Sequence, residues 1–270
     1  MVIHPFDQLM ELEAPEIRLD CAALHLARDV YPELNLFSYL SRLDAFAADV
    51  LAARPKHTAV ARYLAMREVL IEQHKLCGNG DDYYDPQNSY LNRVLDRRKG
   101  IPLSLGVVWI EVARRLEWPV QGVSFPGHFL LRFDDLNQTI LVDPFFEGRS
   151  LDRDDCQKLL DRQFDGKIKL SDDLLEPADN RAILTRMLQN LRAVYSGGGD
   201  RVRLVTVLKR LLAIDPSNIN LRQELADLRG KVDLWWDGPQ DEEALISRDD
   251  ASKVGDVVIT RVDAAKAKLN

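Results

Sequence analysis

Val120-Gln-Gly-Val-Ser-Phe-Pro-Gly-His-Phe-Leu-Leu-Arg-Phe-Asp-Asp-Leu-Asn-Gln-Thr-Ile-Leu-Val-Asp-Pro-Phe145 is the stretch that decides the fold. Three runs rich in β-branched and aromatic residues, Val120 to Phe125, His128 to Phe133 and Thr139 to Phe145, are separated by Pro126-Gly127 and by Asp134-Asp-Leu-Asn137. This spacing predicts three consecutive antiparallel strands joined by turns. Pairing Phe133 with Gln138 across the second turn sets His128 opposite Asp143. Directly opposed side chains leave the same side of a sheet with β-carbons about 5 Å apart, which suits an imidazole–carboxylate hydrogen bond. Such a bond fixes the imidazole tautomer and stabilises its protonated form, the roles of base and orienting acid in a nucleophilic triad. Each residue also has a plainer use, the histidine at a strand end and the aspartate as the start of a turn.

Working outward, Leu105, Val108, Trp109, Val112 and Leu116 fall at the spacing of one buried helical face, behind a start signal Gly100-Ile-Pro102. Asp81 to Tyr90 reads as an ordered loop, because Pro86 restrains its predecessor while Asp85 and Asn88 favour turns. A short helix follows around Tyr90 to Arg98. Between Ile17 and Ala53 the pattern gives two helices broken at Pro32, and Thr58 to His74 gives a third with Val60, Tyr63, Leu64, Leu70 and Ile71 on one stripe. That third helix ends in Cys77-Gly-Asn-Gly80.

Beyond Asp152 the chain is helical again. Ile183, Met187, Leu188, Leu191 and Val194 form one stripe before Gly197-Gly-Gly199, and Val202, Val205, Leu208, Leu211 and Leu212 form another before Asp215-Pro216. Ser217 can cap a last helix, with Leu221, Leu225 and Leu228 facing inward before Gly230. Residues 231–270, with Trp235-Trp236 and Asp241-Glu-Glu243, show weak periodicity. The expected fold class is α+β: a core of one helix plus a three-stranded antiparallel sheet within a mainly helical protein. The expected division is 1–175 for the helical N-terminal region and core, 176–230 for helices packed on it, and 231–270 for a tail.

A net charge of −7 and 46% hydrophobic residues give enough apolar material for a sizeable core and argue against nucleic-acid or anionic-membrane partners, which demand a concentrated basic surface. Arg97-Arg98-Lys99 reads as a solvated helix end. Cys21, Cys77 and Cys156 supply no CxxC pair and no even set, which fits a reducing cytoplasm. Met1-Val-Ile-His-Pro-Phe-Asp lacks the pattern of a secretory signal, and no apolar run approaches the roughly 20 residues that span a bilayer. Asp81, Asp82, Asp85 and Asn88 do not have the spacing of a calcium loop, and a turn held by side-chain to backbone bonds suits them better. His4, His25, His57 and His74 form no ligand spacing, so neither metal nor cofactor is expected.

The segments 78 to 92 (Gly-Asn-Gly-Asp-Asp-Tyr-Tyr-Asp-Pro-Gln-Asn-Ser-Tyr-Leu-Asn), 97 to 105 (Arg-Arg-Lys-Gly-Ile-Pro-Leu-Ser-Leu), 111 to 116, 125 to 132 and 142 to 145 together resemble the bacterial SirB family. The resemblance spans roughly Leu19 to Gly230 and implies a papain/transglutaminase-like core with C-terminal tetratricopeptide-like helices. In active transglutaminase-like enzymes a cysteine opens the core helix, where the helix dipole and a nearby histidine favour its thiolate. The matching place here is Pro102-Leu-Ser104, with no cysteine, while His128 and Asp143 match the family histidine and aspartate. Ser104 is the nearest replacement, though it equally suits a helix cap; Cys77 is a rival nucleophile off the family position; Cys21 and Cys156 read as packing or surface thiols. The resemblance implies a non-catalytic binding or regulatory module with a protein or peptide ligand. The alternative is an acyl-transfer or amide hydrolase using Ser104, or Cys77, with His128 as base and Asp143 as orienting carboxylate.

Overall fold

The computed structural model describes residues 4–233. Its first helices are α1 (Pro5–Leu9), α2 (Leu19–Arg28), α3 (Leu36–Ala52) and α4 (Ala59–Arg67), with the expected break at Pro32 between α2 and α3. Short polar side chains start α3 and α4: Asn35 accepts from the Ser38 N–H and Thr58 from the Ala61 N–H. The stripe expected on the third helix is rotated. Val60 and Leu64 are exposed, while Ala59, Tyr63, Met66 and Leu70 are buried. The cause is a π-helical turn, Glu68–Gln73, that continues α4. A turn closed by i→i+5 bonds holds more residues than an α turn, so an α period run backwards from Leu70 and Ile71 lands on the wrong side.

Strand β1 (Cys77–Gly78) follows, then the loop to helix α5 (Leu91–Arg97) and strand β2 (Lys99–Gly100). The two strands pair in parallel, with the Cys77 N–H donating to the Arg98 carbonyl and the Asn79 N–H to the Gly100 carbonyl, both at 2.9 Å. Arg98 adopts a left-handed φ of 57° after α5, which turns the chain back toward β1. Two-residue strands show no period, so neither was readable from the sequence. The loop is held as expected of a turn: Asp85 Oδ1 accepts from the Gln87 N–H, and the buried Asn88 amide donates to the carbonyls of Asp82 and Tyr83.

Helix α6 (Pro102–Arg115) runs through the centre, with every residue from Pro102 to Ala113 buried. It is followed by an antiparallel sheet of β3 (Val120–Val123), β4 (Leu130–Asp134), β5 (Thr139–Asp143) and β6 (Arg149–Leu151), in that spatial order. The sheet therefore has four strands where three were expected. Its two faces are both covered. Leu131, Phe133 and Val142 join the α6 core, while Val123, Leu130, Leu141 and Leu151 pack with Cys156 and Leu160 of α7 (Arg153–Phe164) in a second apolar cluster. Alternation within each strand assigns neighbours to opposite faces.

The chain closes with α8 (Asn180–Gly198), α9 (Arg201–Ile214) and α10 (Ile219–Asp233). The Gly-Gly-Gly break holds, with Gly199 at φ +73° ending α8. Two details differ. Asn218, not Ser217, caps α10, accepting from the Leu221 N–H while Ser217 Oγ donates to Asp215, and α10 continues through Gly230 to Asp233. Ile183, Leu184, Met187, Leu188 and Leu191 of α8 belong to the same apolar cluster as α2 and α6. Trp235-Trp236 and Asp241-Glu-Glu243 lie outside the described residues. No helix among the described residues is long and apolar enough to cross a membrane.

Candidate functional site

Asp143 is the last residue of β5 and is fully buried. Its Oδ1 accepts from the N–H groups of Phe145 at 2.9 Å and Phe146 at 3.2 Å, and its Oδ2 lies 2.9 Å from His128 Nε2. The carboxylate thus starts the turn and orients the imidazole, combining the two uses read from the sequence. His128 sits just before β4, in a turn where its N–H donates to the Phe125 carbonyl at 3.0 Å. Gly127 before it has a φ of +68°, and a β-carbon there would lie 2.6 Å from Gln163 of α7, so both backbone and space require glycine. The His128 side chain is 14% exposed and stacks on Phe146, with ring centroids 6.3 Å apart and planes at 24°.

The pair meets by a different register from the expected one. Asp134 pairs with Thr139 and Leu131 with Val142, so the whole β4–β5 pairing is displaced by two residues. Asp135 explains the change: its Oδ1 accepts from the N–H groups of Asn137 and Gln138, its Oδ2 from that of Ala59, and it begins the turn one residue later. Thr139 Oγ1 donates to Asp134 across the strand ends at 2.5 Å. A displacement of two keeps every side chain on its face, because the strand period is two. His128 and Asp143 therefore still share a side, but they meet diagonally.

Two aromatic anchors hold this pair in place. Phe129, next to His128, is wedged between α6 and β3: a β-carbon on Gly106 would lie 2.4 Å from its Cε1, and one on Gly122 would lie 2.4 Å from its Cζ. Phe145, two residues after Asp143, covers β1, where a β-carbon on Gly78 would lie 2.6 Å from its Cδ2. Glycine is what lets each ring approach the backbone.

Neither candidate nucleophile is bonded to His128. Ser104, 1% exposed, donates from Oγ to the Asn88 carbonyl at 2.5 Å and accepts from the Ile101 N–H at 3.1 Å. Its hydroxyl fastens the start of α6 to the 81–90 loop, which is the cap role weighed against catalysis. Cys77 is half-buried, with Sγ 3.6 Å from the Arg98 carbonyl. Cys156 is buried in the second cluster, and burial pushes its thiol up to about 11; Cys21 is likewise raised to about 11, by burial and then by the adjacent Asp20.

The structure adds residues that the sequence reading missed. Tyr83 (41% exposed), Tyr84 (47%) and Phe146 (49%) form a partly exposed aromatic row with Phe145, through centroid distances of 5.4 Å for Tyr83–Tyr84, 5.9 Å for Tyr83–Phe145 and 5.1 Å for Phe145–Phe146. Arg149 lies over Phe146 at 5.8 Å, and Arg186 of α8 donates to the Phe125 carbonyl at 3.1 Å. The aromatic doublets beside Asp and Pro were a usable signal. Arg186 gave none, because only the packing of α8 brings it here.

A helix leading into an antiparallel sheet whose strands bring histidine to aspartate defines the class: the chain belongs to the transglutaminase-like superfamily, whose family profile matches residues 37–189, more than half of it. Among individual proteins, it is 37% identical over 227 residues to a UPF0162 protein of Xylella fastidiosa, covering 80% of this chain and 79% of that one. It is 31% identical over 233 residues to a UPF0162 protein of Pseudomonas aeruginosa, covering 86% and 85%. A 182-residue stretch is 31% identical to human F-box only protein 21, covering 63% of this chain but 28% of that protein. No solved structure matches the chain.

Proposed function

We propose that this protein is a transglutaminase-like pseudoenzyme, a binding or regulatory module that works through the surface around His128. The observation that carries the reading is the engagement of Ser104, whose hydroxyl is spent on Ile101 and Asn88 at the position where the superfamily's thiol is expected. A histidine–aspartate pair to which neither Ser104 nor Cys77 is hydrogen-bonded can orient and bind, but lacks the primed nucleophile with which acyl transfer begins. The F-box relative supports the same view, since the shared region there is a minor part of a longer chain, as a transferable module would be. The SirB assignment, a tetratricopeptide-like character for α8 to α10, and a cytoplasmic location belong to this proposal.

The test is enzymatic. Purified protein, assayed for deamidation, transamidation and peptide hydrolysis, is expected to give background rates that His128→Ala leaves unchanged. Turnover that disappears in His128→Ala would overturn the proposal and favour a hydrolase or acyltransferase using Ser104 or Cys77.

A further inference from the structure

Arg186 is the unusual cation of this surface. Its one hydrogen bond among the described residues goes to the Phe125 carbonyl, and no carboxylate there pairs with it. A guanidinium carries five N–H donors, so most of its donor capacity is left for a partner. Burial pulls its pKa down from the usual arginine value, and the titratable neighbour that acts the other way is the Tyr83 phenol, itself uncharged at neutral pH. Holding a partly buried cation without a counterion costs stability, and an incoming anion repays that cost. Arg149, at the Phe146 end of the aromatic row, is exposed; Asp155 feels its charge, but no ion pair closes within 4 Å among the described residues.

Resting on the binding reading above, we propose that the row Tyr83–Phe145–Phe146, bounded by Arg186 and Arg149, seats an acidic peptide segment. A carboxylate of the segment pairs with Arg186, and an adjacent apolar side chain lies on the exposed rings. Charge complementarity selects this occupant: Arg186 borders the row with no carboxylate acting on it among the described residues, and Arg149 at the other end is shared only with Asp155, so on a chain of net charge −7 the attraction for an acidic segment is local to the Arg186 end. The exposed Asp81 and Asp82 before Tyr83, and Glu147 after Phe146, restrict where the partner's carboxylate can sit. Openness selects a peptide over a small molecule. Side chains 41–49% exposed form a track along which a chain can lie, whereas small ligands are enclosed over most of their surface.

The experiment is selection of a phage-displayed library of random short peptides on the full chain, followed by fluorescence anisotropy of labelled synthetic copies. The expected result is enrichment of peptides with Asp or Glu beside an apolar residue. Binding should weaken about tenfold or more in Arg186→Gln, less in Arg186→Lys, and strongly in Phe146→Ala, with unchanged melting curves certifying the fold. Peptides without a carboxylate, bound equally by wild type and Arg186→Gln but lost in Phe146→Ala, would refute the acidic ligand and leave the binding module standing. No enrichment at all, or tighter binding of a single-stranded oligonucleotide than of any peptide, would overturn the inference. The parent reading is judged separately, by the turnover assay.

Discussion

Asp143 satisfies two backbone amides and one imidazole from a fully buried position. Removing it strands buried donors, whereas removing His128, which touches solvent, strands less. Asp143→Ala should therefore cost about 3 kcal/mol in chemical denaturation, and His128→Ala about 1 kcal/mol or less. Equal losses would mean that the turn does not depend on the carboxylate. Ser104→Ala should cost about 1–2 kcal/mol, since it frees the Ile101 N–H and the Asn88 carbonyl at a helix start. A stability loss without any change in ligand binding would identify the hydroxyl as structural; unchanged stability would contradict that role.

The elements around the pair depend on close approach. Gly106 of α6 and Gly122 of β3 clasp the Phe129 ring from two sides, so either glycine changed to alanine should lower stability by about 1–3 kcal/mol through overpacking. Thermal melts of Gly106→Ala and Gly122→Ala check this, and wild-type stability in both would refute the wedge. How much of this was legible depended on the kind of signal. Helix α6 and the three strands of 120–145 were readable, because their apolar periods are long and their breaks carry glycine and proline. The His128–Asp143 contact was readable despite the wrong register, because the error was even. The fourth strand, β6, was not, since Arg149-Ser-Leu151 is too short to show alternation. The π turn after Arg67 breaks the constant period on which the expected α4 stripe rests. Arg186 depends on tertiary packing alone.

Across the whole molecule, a charge cluster ties the N-terminal helices to α6. Arg115 donates to Asp20 of α2 at 2.7 Å, to Asp44 of α3 at 2.6 Å and to Glu111 at 3.0 Å. Burial alone would raise the Asp20 carboxyl, but Arg18 and Arg115 hold it at about 2, below its ordinary 3.8. A depressed carboxyl stabilises the fold above its unfolded value, and that contribution fades as pH falls from about 4 toward 2. Glu111 has the opposite sign. Burial and then Asp20 raise its pKa, so its protonation on acidification relieves a cost and offsets part of the loss that comes from Asp20. Asp20→Asn should destabilise the protein at neutral pH by about 3 kcal/mol, leaving Arg115 short of a buried counterion, and should shrink the acid limb, to which the depressed Asp29 also contributes. Denaturation curves across the acid range measure both effects, and an acid limb of full size in Asp20→Asn would refute the assignment.

Side-chain reactivity tests most directly the proposal that the histidine–aspartate pair activates no nucleophile. Wild type and His128→Ala are treated with a fluorophosphonate and with iodoacetamide, and the modified residues are mapped by mass spectrometry. The expected result is no phosphonylation of Ser104 and ordinary thiol alkylation of Cys77 at the same rate in both proteins. Rapid labelling of either residue that vanishes in His128→Ala would contradict it.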